Sequence, residues 1–314
     1  MVILLVAGLL AGCKRDEVTL RQEIAVTSGV SGLQKRVHSI DNNTALQAQD
    51  IKIDAYYDET DTKMLDGVKL HYTGGDPAWV FWDGSAQVHY YWPFEGSKTS
   101  TGATASTLDF VGFCPFEEPD YITGFDYDAT DGASFDCDMS DYMTKTSQEG
   151  LDEFLISVLP DQTLQTQTDA GGALPMVFKH PFALVKFVIA AASGTHVTVD
   201  SIAIAGLYTG GTCTYNGTTM TWVGTGSGSM EIKGLSLKVG TGSTETAQMM
   251  VIPYNYVAKS LYVRGTWDDW SDVEEHTIDA ELDFNWQPGY SYTYNLTVSK
   301  YALKVDISEF TEQW

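Results

Sequence analysis

The chain has 314 residues, with 42 acidic against 18 basic side chains and a formal net charge of −24 at pH 7. That balance excludes a nucleic-acid-binding role, which needs a basic face, and suits a soluble, self-repelling, extracellular surface. At 43% hydrophobic and 12% aromatic residues the chain can build sizeable cores, enough for two domains or one large one, and its wealth of Tyr, Thr and Gly favours strands and turns.

The first thirteen residues, MVILLVAGLLAGC, form an apolar run too short for a bilayer, which needs about 20 residues, and read as a secretory h-region. The ending LLAGC resembles the bacterial lipobox, which implies that Cys13 is lipidated and heads the exported chain, with residues 1–13 as lipoprotein signal. A charged tether follows. Arginine occurs only at positions 15, 21, 36 and 264, so Arg36 is followed by a long stretch without another. Gly29, Ser31 and Gly32 stand just before it, a composition that keeps a site open to proteases. The distribution suggests that something reads Arg36.

Beyond this point a period of two prevails. It aligns Ile51, Ile53, Ala55 and Tyr57 in DIKIDAYYD, Ile278, Ala280, Leu282 and Phe284 in HTIDAELDF, and Tyr290, Tyr292, Tyr294, Leu296 and Val298 in GYSYTYNLTV. The last segment, YALKVDISEFTEQW, continues it with Leu303, Val305 and Ile307, then Phe310 after a bulge. GSKTSTGATAST and GTGSGS read as exposed hairpin loops. An all-β protein of antiparallel sandwiches is expected. One segment dissents: Leu151, Phe154, Leu155, Val158 and Leu159 recur at helical spacing, and Pro160 should end the element. A boundary is expected near TQTDAGGALP, followed by MVFKHPFALVKFVIAA as one long buried strand.

Chemistry-bearing patterns are sparse. The six histidines show no HExxH spacing, and there is no GxSxG elbow or P-loop. Adjacent acids such as Glu117–Glu118 and Glu274–Glu275 point to opposite faces of a strand, which is wrong for paired acid–base work. The run DYDATDGASFDCDMSD reads as a solvated acidic loop, because its glycine falls one place late for an EF-hand and no Glu closes it. Cys114, Cys137 and Cys213 match no zinc pattern; buried free thiols are the expectation, with a Cys114–Cys137 bridge as the alternative. No enzyme, cofactor or metal site is expected. Trp79, Trp82, Trp92, Trp267 and Trp270 either pack cores or line a carbohydrate platform.

YYWPFEG, TLDFVGFCPF, FKHPFALVKFVI, IAIAGLYTGGT and PGYSYTYNLTV, in this order after the lipobox and the first arginines, resemble the fimbrillin-like proteins of Bacteroidales, the type V pilins and their Mfa-like relatives. The resemblance spans nearly the whole chain. It implies two consecutive β-sandwich-like domains, here 37–173 and 174–314, after a signal and a removable first strand over 14–36, and it makes DEFLISV a strand preceded by a turn of helix. It also implies a life history: an outer-membrane lipoprotein precursor, cut by an arginine-specific protease after Arg36 so that Val37 begins the mature chain. The strand carrying Ile24, Val26 and Val30 leaves, and a neighbouring subunit's strand fills the groove. The scarcity of arginine then protects the rest, provided the fold shields Arg264 at a strand end. Partners would be other fimbrial subunits, the membrane through Cys13, and a host or bacterial surface. Leu303, Val305, Ile307 and Phe310 are the candidate donor teeth, the competing reading being that they pair at home with SYTYNLTV. The rival from another class is a glycan-binding lipoprotein that stays monomeric and anchored.

Overall fold

The computed structural model describes residues 22–30, 43–57, 62–93, 107–141, 153–268 and 273–313. The chain runs through β1 (Val26–Val30), the short α1 (Asn43–Gln47), β2 (Ile51–Tyr57), β3 (Lys63–Tyr72), β4 (Trp79–Trp82), β5 (Gln87–Val88) and β6 (Leu108–Cys114). Next come β7 (Ile122–Asp128), β8 (Gly132–Asp138), β9 (Leu155–Gln162), α2 (Leu164–Asp169), β10 (Leu174–Phe178) and β11 (Ala183–Ala191). After these follow β12 (Val197–Leu207), β13 (Gly210–Tyr215), β14 (Met220–Thr225), β15 (Gly228–Ile232) and β16 (Leu237–Val239). The last five are β17 (Thr244–Val251), β18 (Asn255–Asp268), β19 (Val273–Asn285), β20 (Tyr290–Ser299) and β21 (Ala302–Gln313). The all-β expectation holds.

A six-stranded antiparallel sheet, ordered β5-β4-β3-β2-β6-β9, is the backbone of the N-terminal half. Its strand β6 is covered on both faces. In β6, LDFVGFC, every residue is buried: Leu108, Phe110 and Cys114 enter one apolar cluster, Val111 and Phe113 the other. A strand with two dry faces needs no polar alternation. Its one acid, Asp109, is held by the Tyr127 hydroxyl, which donates at 2.5 Å, and by the Asp161 N–H at 2.6 Å. Gly112 leaves the backbone bare where β10 crosses: a Cβ there would stand 2.7 Å from Phe178 Cζ and 2.9 Å from Met176 Cε.

The other face of β6 and β9 meets the hairpin β7–β8, whose Phe125 and Phe135 pack with Phe113 and Phe154. This hairpin joins β13 and β14 in a sheet ordered β14-β13-β8-β7. The acidic run expected as a loop is therefore strand, turn and strand. Asp128 makes the turn by accepting the N–H groups of Thr130 and Asp131 at 2.7 and 3.0 Å, an Asx arrangement.

In the C-terminal half β17-β11-β20-β21 faces β15-β12-β18-β19, with β16 added to β12. Most pairs are antiparallel, but β1–β10 and β11–β20 are parallel.

Several expectations change in detail. Leu174, Met176 and Phe178 belong to the first core, whereas Phe182 and the strand after it belong to the second, which also takes in Val111, Phe113, Phe135 and Phe154. The apolar run expected as one strand is consequently two, β10 and β11. β9 confirms the strand over the helical spacing, and it runs through Pro160 rather than ending there. It can do so because Pro160 and Asp161 bulge out between the pairs Phe110↔Leu159 and Leu108↔Gln162 on an edge strand, where proline is tolerated. GTGSGS connects β14 to β15 in a different sheet and is no hairpin, while GSKTSTGATAST lies, but for its last residue, outside the described residues. Arg264 sits inside β18 with its side chain 55% exposed and bonded to Glu275, so the side chain is not shielded. Its backbone is, being paired with Ser201 of β12 and Thr277 of β19.

Candidate functional site

The first strand occupies a slot with two walls. Along one, Val26 to Val30 pair in parallel with Leu174 to Phe178. Along the other, the Ile24 N–H donates to Tyr90 O at 2.8 Å, the Trp92 N–H donates to Gln22 O at 3.0 Å, and Glu23 faces Tyr91 in an antiparallel bridge. The Glu23 carboxylate also lies 2.7 Å from His89 Nδ1. Alternation sends Ile24 and Val26 inward, 1% and 3% exposed, among Leu46, Trp92, Phe110 and Met176 of the first core. Val30 is half-buried at its rim, where its N–H donates to Asn43 Oδ1 at 3.0 Å.

β10 begins only at Leu174, whose N–H donates to Ala25 O at 2.8 Å, so its ladder stops short of the Ala25 N–H and the Glu23 carbonyl. Here a side chain takes over. Gln167 on α2 is 5% exposed. Its carboxamide N–H donates to Glu23 O at 3.0 Å and its oxygen accepts the Ala25 N–H at 3.0 Å. That is the pair of bonds which one residue of a parallel neighbour would make, so the amide extends the ladder by one position. The same oxygen accepts the Trp92 indole N–H at 2.9 Å, which fixes the direction of the amide. α2 can stand there because a reciprocal cap starts it: the Thr166 N–H donates to Thr163 Oγ1 at 3.0 Å and the Thr163 N–H to Thr166 Oγ1 at 2.8 Å.

The slot thus brings Ile24, Val26 and Val30 together. Cys13, Arg36 and Val37 lie outside the described residues. The candidate donor teeth lie on β21, which pairs with β20 at the edge of its sheet, Leu303 opposite Val298, Val305 opposite Leu296 and Ile307 opposite Tyr294. Leu303 and Val305 are half-buried there, and Phe310 falls where the register shifts. Gln167 and Trp92 were not expected in this role. Gln167 stands in a stretch that reads as linker, and nothing in a lone Gln announces a buried backbone contact 142 positions away.

Other candidate chemistry resolves into structure. Cys114, Cys137 and Cys213 are free and buried, and the Cys114–Cys137 bridge is not formed. Burial pushes the Cys137 thiol up to about 12 and holds Cys114 and Cys213 well above the ordinary thiol range. Trp79, Trp92 and Trp267 are core residues, so they offer no platform to a sugar; Trp82 is half-buried at the end of β4 beside His71, and Trp270 lies outside the described residues.

Comparison with known proteins places the chain. The Fimbrillin-like family profile matches residues 36–314. No curated protein matches. A candidate cell adhesion protein from Bacteroides uniformis is similar in structure with a TM-score of 0.54 at 17% identity, over 93% of this chain and 98% of that one. A candidate cell adhesion protein from Bacteroides ovatus has a TM-score of 0.48 at 15% identity over 94% and 97% of the two chains. The tip fimbrial protein Mfa3 from Porphyromonas gingivalis, truncated at its C-terminus, has 0.43 at 11% over 93% and 99%. At such identities the structural likeness speaks to the fold alone, but the family profile covers most of the sequence, and the chain belongs to the fimbrillin-like family.

Proposed function

We propose that the chain is a fimbrial subunit serving cell-surface adhesion. It is exported as an outer-membrane lipoprotein precursor acylated at Cys13, cut after Arg36, and assembled by strand replacement. The observation that carries the reading is the bonding of residues 22–30. They fill a slot in the first core through two edges of hydrogen bonds and two fully buried side chains, yet the only arginine between that strand and Arg264 follows within a few residues of its end. Losing Ile24 and Val26 from the core forfeits about 1.5–3 kcal/mol each, a large part of a domain stability of roughly 5–15 kcal/mol. The emptied slot also presents two unpaired edges, a template for another chain. The strand from a neighbour that refills it is β21, whose Leu303, Val305 and Ile307 alternate as Ile24 and Val26 do. The burial of Trp79, Trp92 and Trp267 weighs against the monomeric glycan-binding alternative.

The test is to treat folded precursor with an arginine-specific protease and sequence the new N-terminus, which should read Val-His-Ser-Ile. Arg36→Ala should stay whole and monomeric; fibres assembled from it would sink the reading. Cys13→Ala should abolish fatty-acid labelling. Deleting residues 301–314 should leave a folded subunit that does not polymerise, whereas cooperative unfolding of the deletion would mean that the donor lies elsewhere.

A further inference from the structure

We propose that Ser28 marks the position at which the slot discriminates between strands, holding one with an aliphatic side chain there more tightly than the strand it already contains. The inference rests on the strand-replacement reading above and adds what drives it. On the inward face of the resident strand stand Ile24, Val26, Ser28 and Val30, three aliphatic residues and one hydroxyl. The Ser28 hydroxyl oxygen is buried and finds no hydrogen-bond partner among the described residues. Its neighbour across the ladder is Met176, itself 1% exposed in the first core. A buried hydroxyl without a partner is a standing penalty, and an aliphatic group in its place removes the penalty and adds buried apolar surface.

Register cannot slide to avoid the defect. The Gln167 amide, held by Trp92, takes the carbonyl of one residue and the N–H two places on. A slip of one residue would turn every side chain to the other face. These contacts are to backbone, so they serve any entering strand alike, and they decide which of its residues lands opposite Met176. The occupant argued here is β21 of a second copy, running in the direction of the strand it replaces. With Leu303 in the place of Ile24 and Val305 in that of Val26, Ile307 falls on the Ser28 position, while Lys304 and Asp306 take the outward places of Ala25 and Thr27. The first strand is then a placeholder, good enough to fold the precursor and poor enough to be displaced.

The test has two parts. In the intact precursor, Ser28→Val should raise the denaturant midpoint, and Ser28→Ala, which removes the hydroxyl without adding bulk, should not lower it; a lower midpoint in both overturns the proposal. In precursor nicked after Arg36, a synthetic peptide of residues 301–309 should displace the first strand, roughly tenfold more slowly from Ser28→Val than from wild type, and the same peptide with Ile307→Ser should bind roughly tenfold more weakly. If Ser28→Val stabilises the precursor yet no peptide enters the nicked chain, strand replacement itself fails. If the peptide enters and Ile307→Ser binds as well as the parent, strand replacement stands and selectivity at this position is overturned.

Discussion

The carboxamide oxygen of Gln167 accepts the backbone N–H of Ala25 at 3.0 Å across 142 positions of chain. Gln167→Leu should therefore release the Ala25 amide to exchange with solvent faster in the intact chain. Amide-resolved hydrogen exchange reads the difference. Equal protection in wild type and Gln167→Leu would show that the slot holds the strand without this side chain. The leucine variant also leaves the Trp92 indole N–H buried without its acceptor, a cost of about 1–3 kcal/mol in global stability.

Arg264 and Arg36 should respond to protease in opposite ways. Backbone paired on both sides does not fit an extended protease cleft, so folded protein should be cut after Arg36 and spared at Arg264 despite the exposed guanidinium. Cleavage at Arg264 should appear only as denaturant unfolds β18. Peptide mapping along a urea series checks this; early cleavage at Arg264 in native protein would mean that β18 opens locally.

Alkaline pH should weaken the fold. Burial pushes the phenols of Tyr56 and Tyr294 up to about 12. Burial, and for Tyr127 the bond to Asp109, hold Tyr127 and Tyr256 higher still. The unfolded chain loses these protons near pH 10, so above that the unfolded state binds fewer protons than the native one and stability falls with rising pH. The contribution is complete below about pH 10 and is lost through pH 12 and beyond. Denaturant midpoints across that range should fall steadily, and Tyr127→Phe should flatten the slope. A midpoint flat from pH 10 to 12 would contradict the burial of these rings.

The three thiols should be inert in the native state. Cys114, Cys137 and Cys213 are buried and their burial disfavours the thiolate, which is the reactive form. A thiol reagent at neutral pH should label none of them until denaturant is added, then all three. Rapid native labelling of Cys137 would show that the β7–β8 hairpin lifts from its sheet.

Much of this architecture was legible in period-two alternation, because strands with one wet face advertise themselves: β19, β20 and β21 lie where Ile278, Tyr294 and Leu303 mark them. Strands with two dry faces do not. β9 carries apolar residues on both sides, so Phe154, Leu155 and Val158 mimic helical spacing, and only the family resemblance identified it as a strand. The break between β10 and β11 was hidden for the same reason. Long-range pairings were also out of reach: alternation marks strands but not partners, so nothing in residues 133–138 announces that they pair with 210–215. In the slot, Ile24 and Val26 were legible only through the family resemblance, and Gln167 not at all, since its contacts are to backbone and leave no complementary residue type to look for.

Because β1 and β10 run parallel, with five residues of each in register, a pull along the first strand strains all of their bonds at once. Such a joint resists until it fails as a whole. β20 and β21 are antiparallel neighbours joined through Lys300 and Tyr301, so tension drawing them apart from the far end opens one bond after another, as a zipper does. The same strand that peels from its home sheet under small force would, once seated lengthwise in the slot of a neighbour, become a link that holds under load.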